Sequence, residues 1–372
     1  MEIYLDNAAT TRPKTSAAVQ RHFERLWYNP SSAYGQAEAV FKEIKQIRQQ
    51  LCGALQLNGT CLFTSGGTEA NNMALNALSR RGAHIVVSAV EHPSVYETCR
   101  HLEQSGVRVE YVKPRGFVIH PEDAAELVTE DTALVSVMHV NNETGALNDI
   151  FAIARAVKAK NPGVLFHADG VQALLKTPVD LSSGLVDAYT VSAHKIHALK
   201  GTGALLVRQG VTLRPLLHGG GQELSLRAGT ENTLGILAFG EVLEMGLQEQ
   251  AKNFDKIRQL RAAFLDGLQD MDGVTVHIPE NFVPHIVSLT VEGVRGEVLA
   301  RAMGKKGVMI GTGAACSRGK LSRVLLECGV DRAHAEGVAR ISFCADNTLE
   351  EVAVCLDILR DTVSVLRRFS RK

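Results

Sequence analysis

The chain has 372 residues, which is enough for one large domain and a smaller one. Forty basic residues balance forty acidic ones, so the overall charge favours neither nucleic acid nor a membrane surface as the main partner. Residues 1–11 contain no basic leader or apolar signal core, and no apolar stretch reaches the ~20 residues that span a bilayer. Seven cysteines without CxxC spacing indicate reduced thiols in the cytoplasm rather than a disulfide framework or a zinc knuckle, so we expect no metal site.

Short apolar runs alternate with helical patterns between about residues 60 and 210. The predicted strands are Cys61–Thr64, His84–Ser88, Val107–Val112, Ala133–His139, Val164–Ala168, Ala188–Ser192 and Gly203–Val207. Amphipathic segments such as Glu69–Ser79, Ser94–Ser105 and Ile150–Ala159 lie between them. This alternation predicts an α/β fold with a mainly parallel, seven-stranded sheet, whose active site lies at the carboxyl ends of the strands.

A helical pattern covers residues 235–268, and a smaller α+β pattern follows it. The predicted elements are the strands Val274–His277, Ile286–Val291 and Ala339–Phe343 and the helices Glu297–Lys305 and Leu349–Arg367. We therefore predict a large domain of residues 13–249. Residues 1–12 and 250–372 are predicted to form a small α+β domain.

A glycine-containing turn joins the first of these strands to the helical pattern after it. The strand at Cys61 runs into Ser65, Gly66, Gly67 and Thr68. Glycines allow close backbone approach, and a helix start offers free N–H groups and a positive dipole end to a phosphate. A capped turn without a ligand explains the same pattern. The turn is neither GxGxxG nor a Walker loop, which argues against a dinucleotide or ATP.

Two later strands end in residues that carry chemistry. Asp169 follows a buried strand, where a carboxylate is costly without a partner, and the N–H of a protonated pyridine ring is such a partner. A helix N-cap is the alternative role for Asp169. Lys195 lies 26 residues later at another strand end, where desolvation makes a lysine amine a candidate Schiff-base nucleophile. Taken alone, any one lysine of this sequence is more often a surface charge; the case for Lys195 depends on the order of phosphate turn, strand-end Asp and strand-end Lys.

Seven ordered motifs carry a resemblance to a known family. They are SGGTEANN, EHPSV, HVNNETG, HADGVQ, SAHKIHALKGTGAL, GGGQE with LSLRAGTEN, and GAACS. In this order the chain resembles the cysteine desulfurases of the NifS/IscS type, which belong to the class V aminotransferase group. The resemblance implies the fold-type I architecture of enzymes that depend on pyridoxal 5'-phosphate (PLP).

The resemblance also implies a role for each matching residue. Lys195 would form the Schiff base with PLP, Asp169 would pair with the ring nitrogen, Gln172 would bind the phenolic oxygen, and His92 would stack on the ring. The implied phosphate ligands are Gly67, Thr68, Ser192 and His194, together with Thr230 from the other subunit of a homodimer. Asn142 and Arg340 would hold the substrate carboxylate, and Cys316 would accept the sulfur.

The implied reaction converts L-cysteine to L-alanine and leaves a persulfide on Cys316 for a sulfur-acceptor protein, such as an iron–sulfur scaffold or a thiolation carrier. Two alternatives remain. One is a selenocysteine lyase or another class V lyase, which could act without the thiol. The other is a non-catalytic sulfur-carrier subunit, against which the intact set of Lys195, Asp169 and His92 argues.

Overall fold

The computed structural model describes residues 2–15, 20, 23–79, 82–313 and 321–370, without the side chains of residues 369 and 370. The predicted Cys316 therefore lies outside the described residues. None of the helices in the described ranges is long and apolar enough to cross a membrane.

A seven-stranded sheet forms the larger part of the fold. Its strands are β2 (Gly59–Thr64), β3 (His84–Ser88), β4 (Arg108–Val112), β5 (Thr132–Ser136), β6 (Leu165–Asp169), β7 (Ala188–Ser192) and β8 (Gly203–Arg208). They lie in the order β2-β8-β7-β6-β5-β3-β4, and only β8 runs antiparallel to its neighbours. The predicted α/β fold with a mainly parallel seven-stranded sheet is confirmed, and each predicted strand lies within three residues of the observed one.

A five-stranded sheet holds the remaining strands. These are β1 (Ile3–Leu5), β9 (Val274–His277), β10 (Ile286–Val291), β11 (Val308–Thr312) and β12 (Val338–Ser342), in the order β1-β11-β12-β10-β9. β1 pairs parallel with β11, so the first residues of the chain join its last third. The sequence did not indicate β1 or β11 as strands, because β1 has only three residues and Gly311 interrupts the apolar run of β11.

Helices cover the sheets. Their bounds are Gly35–Ala54, Gly67–Leu78, Pro93–Gln104, Pro121–Glu126, Ile150–Lys160, Thr233–Asp266, Gly296–Lys305, Arg323–Glu327, Arg332–Glu336 and Leu349–Ser370. The helix Thr233–Asp266 continues through residue 250, where the sequence places a domain boundary. Its first part packs Ile236 and Phe239 into the core of the seven-stranded sheet, and its last part packs Phe264 into that of the five-stranded sheet.

Candidate active site

Three strands of the seven-stranded sheet end at the same edge, and each carries residues that the sequence singled out. Asp169 is the last residue of β6, Ser192 is the last residue of β7, and Lys195 ends the single 3-10 turn that follows. Gly67 begins a helix three residues after the end of β2, and β2 runs in the same direction as β7 because each is antiparallel to β8. The fold thus brings the turn, the acid and the lysine to one edge.

Asp169 is buried and already holds two hydrogen bonds. Its Oδ1 accepts from the backbone N–H of Val171 at 2.9 Å, and its Oδ2 accepts from Nδ2 of Asn71 at 2.7 Å. Both donors are neutral, so neither balances the charge of the carboxylate. An N–H of a protonated ring is the kind of cationic partner that such a buried carboxylate can take.

A chain of hydrogen bonds connects Asp169 with His92. Asn71 donates to both Asp169 and the Oγ of Ser94, the latter at 2.8 Å. The Ser94 Oγ lies 2.8 Å from Nδ1 of His92, which also accepts from the backbone N–H of Ser94 at 3.1 Å. Because Nδ1 accepts, the ring proton of His92 resides on Nε2. Asn71 and Ser94 therefore fix the orientation of both predicted ring-binding residues.

The lysine and the glutamine meet at one carbonyl group. Nζ of Lys195 donates to the carbonyl oxygens of Ala8 and Ala9 at 2.6 and 2.7 Å. Nε2 of Gln172 donates to the same Ala8 oxygen at 2.8 Å, and its Oε1 accepts from Lys176 at 2.9 Å. The N-terminal segment thus holds the amine of Lys195 beside the amide of Gln172.

The charges of Asp169 and Lys195 both act on the imidazole of His92. Burial lowers the pKa of the His92 imidazole, the charge of Asp169 raises it, and the charges of Lys195 and Arg323 lower it. Both Asp169 and Lys195 are thus close enough to act on the same ring. Asp169, at the end of β6, and Lys195, after β7, therefore lie within electrostatic range of the same imidazole.

The turn after β2 has the features of an anion site. No side chain caps the helix that begins at Gly67, so its first backbone N–H groups are available to a ligand. The hydroxyl of Ser192 is buried and has no hydrogen-bond partner among the described residues. A Cβ on Gly67 would lie 2.8 Å from Cγ2 of Val171 and 3.5 Å from Cβ of Ser192, so only glycine fits there.

The other predicted phosphate ligands differ in their surroundings. Nδ1 of His194 lies 3.1 Å from the hydroxyl of Thr10, and burial together with the charge of Lys195 lowers its pKa to about 4. His194 is therefore neutral near pH 7. Thr68 and Thr230 are exposed, and Thr230 lies in the loop that precedes the helix Thr233–Asp266.

Arg340 contacts Asn142 through the backbone carbonyl of Asn142. The Arg340 side chain is almost fully buried, its Nη1 donates to the carbonyl of Asn142 and its Nη2 donates to Oδ1 of Asp6, both at 2.7 Å. Its Nε has no partner among the described residues. The edge formed by Nε and Nη2 faces Gly311, where a Cβ would come within 2.9 Å of Nη2. Nε is thus a buried donor of this edge without a partner among the described residues, whereas Nη2 already binds Asp6.

Two carboxyl groups near the site were not indicated by sequence. Glu91 is fully buried, its Oε1 accepts from Ser88 and from the backbone N–H of Met138, both at 2.6 Å, and burial raises its pKa to about 8. Burial raises the pKa of Glu143 to about 7, although a hydrogen bond from Ser322 lowers it. In the sequence, the only indication of a role for these residues is that Glu91 precedes His92 and Glu143 follows Asn142.

Comparisons with known proteins agree with this arrangement. Residues 3–354 match the family model of aminotransferase class V. Cysteine desulfurase IscS of Dictyoglomus turgidum is 36% identical over 382 residues, covering 99% of this chain and 96% of that protein. The cysteine desulfurase of Gluconacetobacter diazotrophicus is 37% identical, with 99% and 95% covered.

Solved structures give the same result. A NifS-like protein has a TM-score of 0.92 at 34% identity, covering 98% of this chain and all of that one. The structure of SspA in complex with cysteine has a TM-score of 0.80 at 28% identity and covers 94% of this chain. The chain therefore belongs to the class V aminotransferase family, in the group of the NifS/IscS-type cysteine desulfurases.

Proposed function

We propose that this protein is a PLP-dependent cysteine desulfurase, which converts L-cysteine to L-alanine and carries the sulfur as a persulfide on Cys316. One arrangement supports this function above all: Lys195 and Gln172 meet at the Ala8 carbonyl, while Asp169 is joined to His92 through hydrogen bonds. A related protein, SspA, has been solved with cysteine bound.

The described residues fit PLP. A phosphate matches the uncapped helix start at Gly67 and Thr68 and the unpartnered hydroxyl of Ser192. Asp169 offers a buried carboxylate to a protonated ring nitrogen, and Gln172 retains a second amide hydrogen for an oxygen on the ring. The neutral His194 adds a further hydrogen-bonding group for the phosphate.

Bound PLP supplies an electron sink next to the α-carbon of the amino acid. The chain supplies the other groups. Asp169 keeps a proton on the ring nitrogen, and Nζ of Lys195 removes the proton from the α-carbon. Arg340 and Asn142 hold the substrate carboxylate, for which the Nε of Arg340 has a donor to spare. The Cys316 thiolate then attacks the substrate sulfur, so that an S–S bond forms as the C–S bond breaks.

A homodimer would complete the site, because Thr230 is exposed and would reach the phosphate of the partner subunit. Four aromatic side chains between residues 23 and 41 support this, since Phe23, Trp27, Tyr34 and Phe41 are each about half exposed or more. Exposed apolar groups of this size are typical of an interface. Sedimentation velocity should give a dimer, and a fully active monomer would contradict it.

The six cysteines among the described residues form no disulfide, which fits a reducing cytoplasm, and a protein acceptor would take the sulfur there. The test of the function uses two variants with L-cysteine and L-selenocysteine as substrates. Lys195→Ala should abolish alanine formation from both and remove the visible Schiff-base absorption. Cys316→Ala should lose turnover of cysteine. Full cysteine turnover by Cys316→Ala would contradict the proposed sulfur transfer.

A further inference from the structure

A mixed cluster of His197, Cys344 and Asp346 lies outside the residues used above. Their candidate ligand atoms all lie within 4.8 Å of one another. Imidazole nitrogen, thiolate sulfur and carboxylate oxygen are the three ligand types that zinc takes in proteins. The absence of CxxC spacing predicted no metal site. The sequence does not indicate this cluster, because His197 and Cys344 come together only in the folded chain.

The backbone holds His197 in a fixed position. Its N–H donates to the Thr11 hydroxyl at 2.6 Å, and its carbonyl accepts from Lys14 at 2.8 Å. Its φ of 74° is left-handed, which is costly for a residue with a side chain and points to a functional constraint.

The tautomer of His197 also suits a metal. Nδ1 lies 2.9 Å from the carbonyl oxygen of Arg12, and a carbonyl only accepts, so Nδ1 carries the proton. Nε2 then keeps its lone pair, which a metal ion requires. Metal-binding histidines usually donate their second ring N–H to such an oxygen.

The backbone fixes Cys344 beside the cluster. Its N–H donates to Oδ1 of Asn347 at 2.9 Å, and its carbonyl accepts from the N–H of Asn347 at 3.2 Å. Burial and the charge of Asp346 raise the pKa of the Cys344 thiol. Metal binding would therefore have to deprotonate the thiol, and its proton would pass to solvent.

Lys14 provides the positive charge at the cluster. Its Nζ lies 2.7 Å from Oδ1 of Asp346, and about a third of its side chain is exposed. This ammonium pairs with the Asp346 carboxylate, so a metal ion would have to displace it. Because the side chain borders solvent, it can leave the carboxylate when a dication arrives.

A cavity of about 110 Å³ borders the cluster, and His197, Cys344, Lys195 and His285 are among its lining residues. His285 is 2% exposed, and neither of its ring nitrogens has a partner among the described residues. Asp346 is exposed, so solvent water can reach the cluster and take the fourth position of a three-ligand zinc site.

We propose that His197, Cys344 and Asp346 form a binding site for Zn²⁺, with solvent water as the fourth ligand. His197 lies two residues after Lys195, and Cys344 lies two residues after β12, the strand that carries Arg340. The metal therefore ties the turn of the cofactor lysine to the strand of the substrate arginine. The site does not depend on the desulfurase reaction, so it can be tested without activity.

The test is a titration of the metal-free holoenzyme with Co²⁺. It uses a Cys316→Ser background, which removes the thiol proposed to accept sulfur, so that this thiol cannot bind the metal. Bound Co²⁺ should give a thiolate charge-transfer band and tetrahedral ligand-field bands in the red, away from the cofactor absorption. Zn²⁺ should displace it at one equivalent. Cys344→Ser should remove the charge-transfer band, and His197→Ala should weaken binding at least about tenfold to a hundredfold.

Two further variants make the result specific. Lys14→Gln should strengthen metal binding, because it removes the competing ammonium. Cys328→Ser is the matched control, since Cys328 is another half-buried free thiol, outside the cluster, and it should leave the titration unchanged. The same Co²⁺ spectrum and affinity in Cys344→Ser and His197→Ala would overturn the proposal, as would the absence of one-equivalent binding in the parent protein.

Discussion

Asn71 is the residue whose removal tests the architecture of the site most sharply. Its side chain is 1% exposed and donates both to Asp169, at 2.7 Å, and to Ser94, at 2.8 Å. Asn71→Ala would leave the Asp169 carboxylate with a single donor, the Val171 N–H. It would also free the serine that orients His92.

Without Asn71 the Asp169 carboxylate would lose the orientation in which it pairs with the ring N–H, and a hydrogen bond between charged groups of this kind is worth about 1.5–3 kcal/mol. Since each 1.36 kcal/mol is a factor of ten, losing it should weaken PLP binding by about ten- to a hundredfold. The assay is a fluorescence or absorbance titration of the cofactor-free protein with PLP, with alanine formation measured in parallel.

Asn76→Ala is the matched control. It lies on the same helix, and its Nδ2 donates only to the Asn72 carbonyl at 2.8 Å, away from Asp169. It should bind PLP as the wild type does. If Asn71→Ala binds PLP as tightly as Asn76→Ala, the link from Asp169 to His92 does not organise the site.

Three further changes have defined outcomes. Because the folded pKa of Glu91 is raised to about 8, the protein holds this proton and loses stability as pH rises from about 4.5 to 8. Between about pH 6 and 8, the free energy of unfolding measured in urea should therefore fall by about 2 kcal/mol less in Glu91→Gln than in the wild type. Identical pH profiles of the two proteins would refute this. Arg340→Lys keeps the charge but loses the fork, so KM for L-cysteine should rise about tenfold or more with a smaller change in kcat; an unchanged KM would exclude the carboxylate role. Arg48 donates two hydrogen bonds to the buried carboxylate of Glu223, in the turn Glu223–Ser225. Glu223→Ala leaves Arg48 without this partner and should lower the free energy of unfolding by about 3–5 kcal/mol. A loss below about 1 kcal/mol would show that the pair does not stabilise this turn.

The residues at strand ends were predictable because sheet topology fixes where they meet. Asp169 and Lys195 each follow an apolar strand, and parallel strands bring their carboxyl ends to one edge. No role was predicted for Asn71, although its position in the sequence indicates a buried polar side chain. It lies at helical spacing from Ala74, Leu75 and Leu78 on a buried face, where a polar side chain needs a partner.

Other features could not be read from local patterns. β1 and β11 owe their pairing to residues some three hundred positions apart, and neither is long enough to show a period of its own. The bonds that the N-terminal Ala8 makes with Lys195 and Gln172 have the same origin. Every residue has a backbone carbonyl, so the sequence does not indicate that the one of Ala8 binds these side chains. Only the folded chain reveals this contact.

The most direct test of the proposed desulfurase is mass spectrometry of the peptide that carries residue 316, after brief incubation of the holoenzyme with L-cysteine and no acceptor. The peptide should gain the mass of one sulfur atom, with one alanine formed per modified site, and Lys195→Ala should show neither. Alanine formation with an unmodified Cys316 and free sulfide as the first product would contradict the central claim.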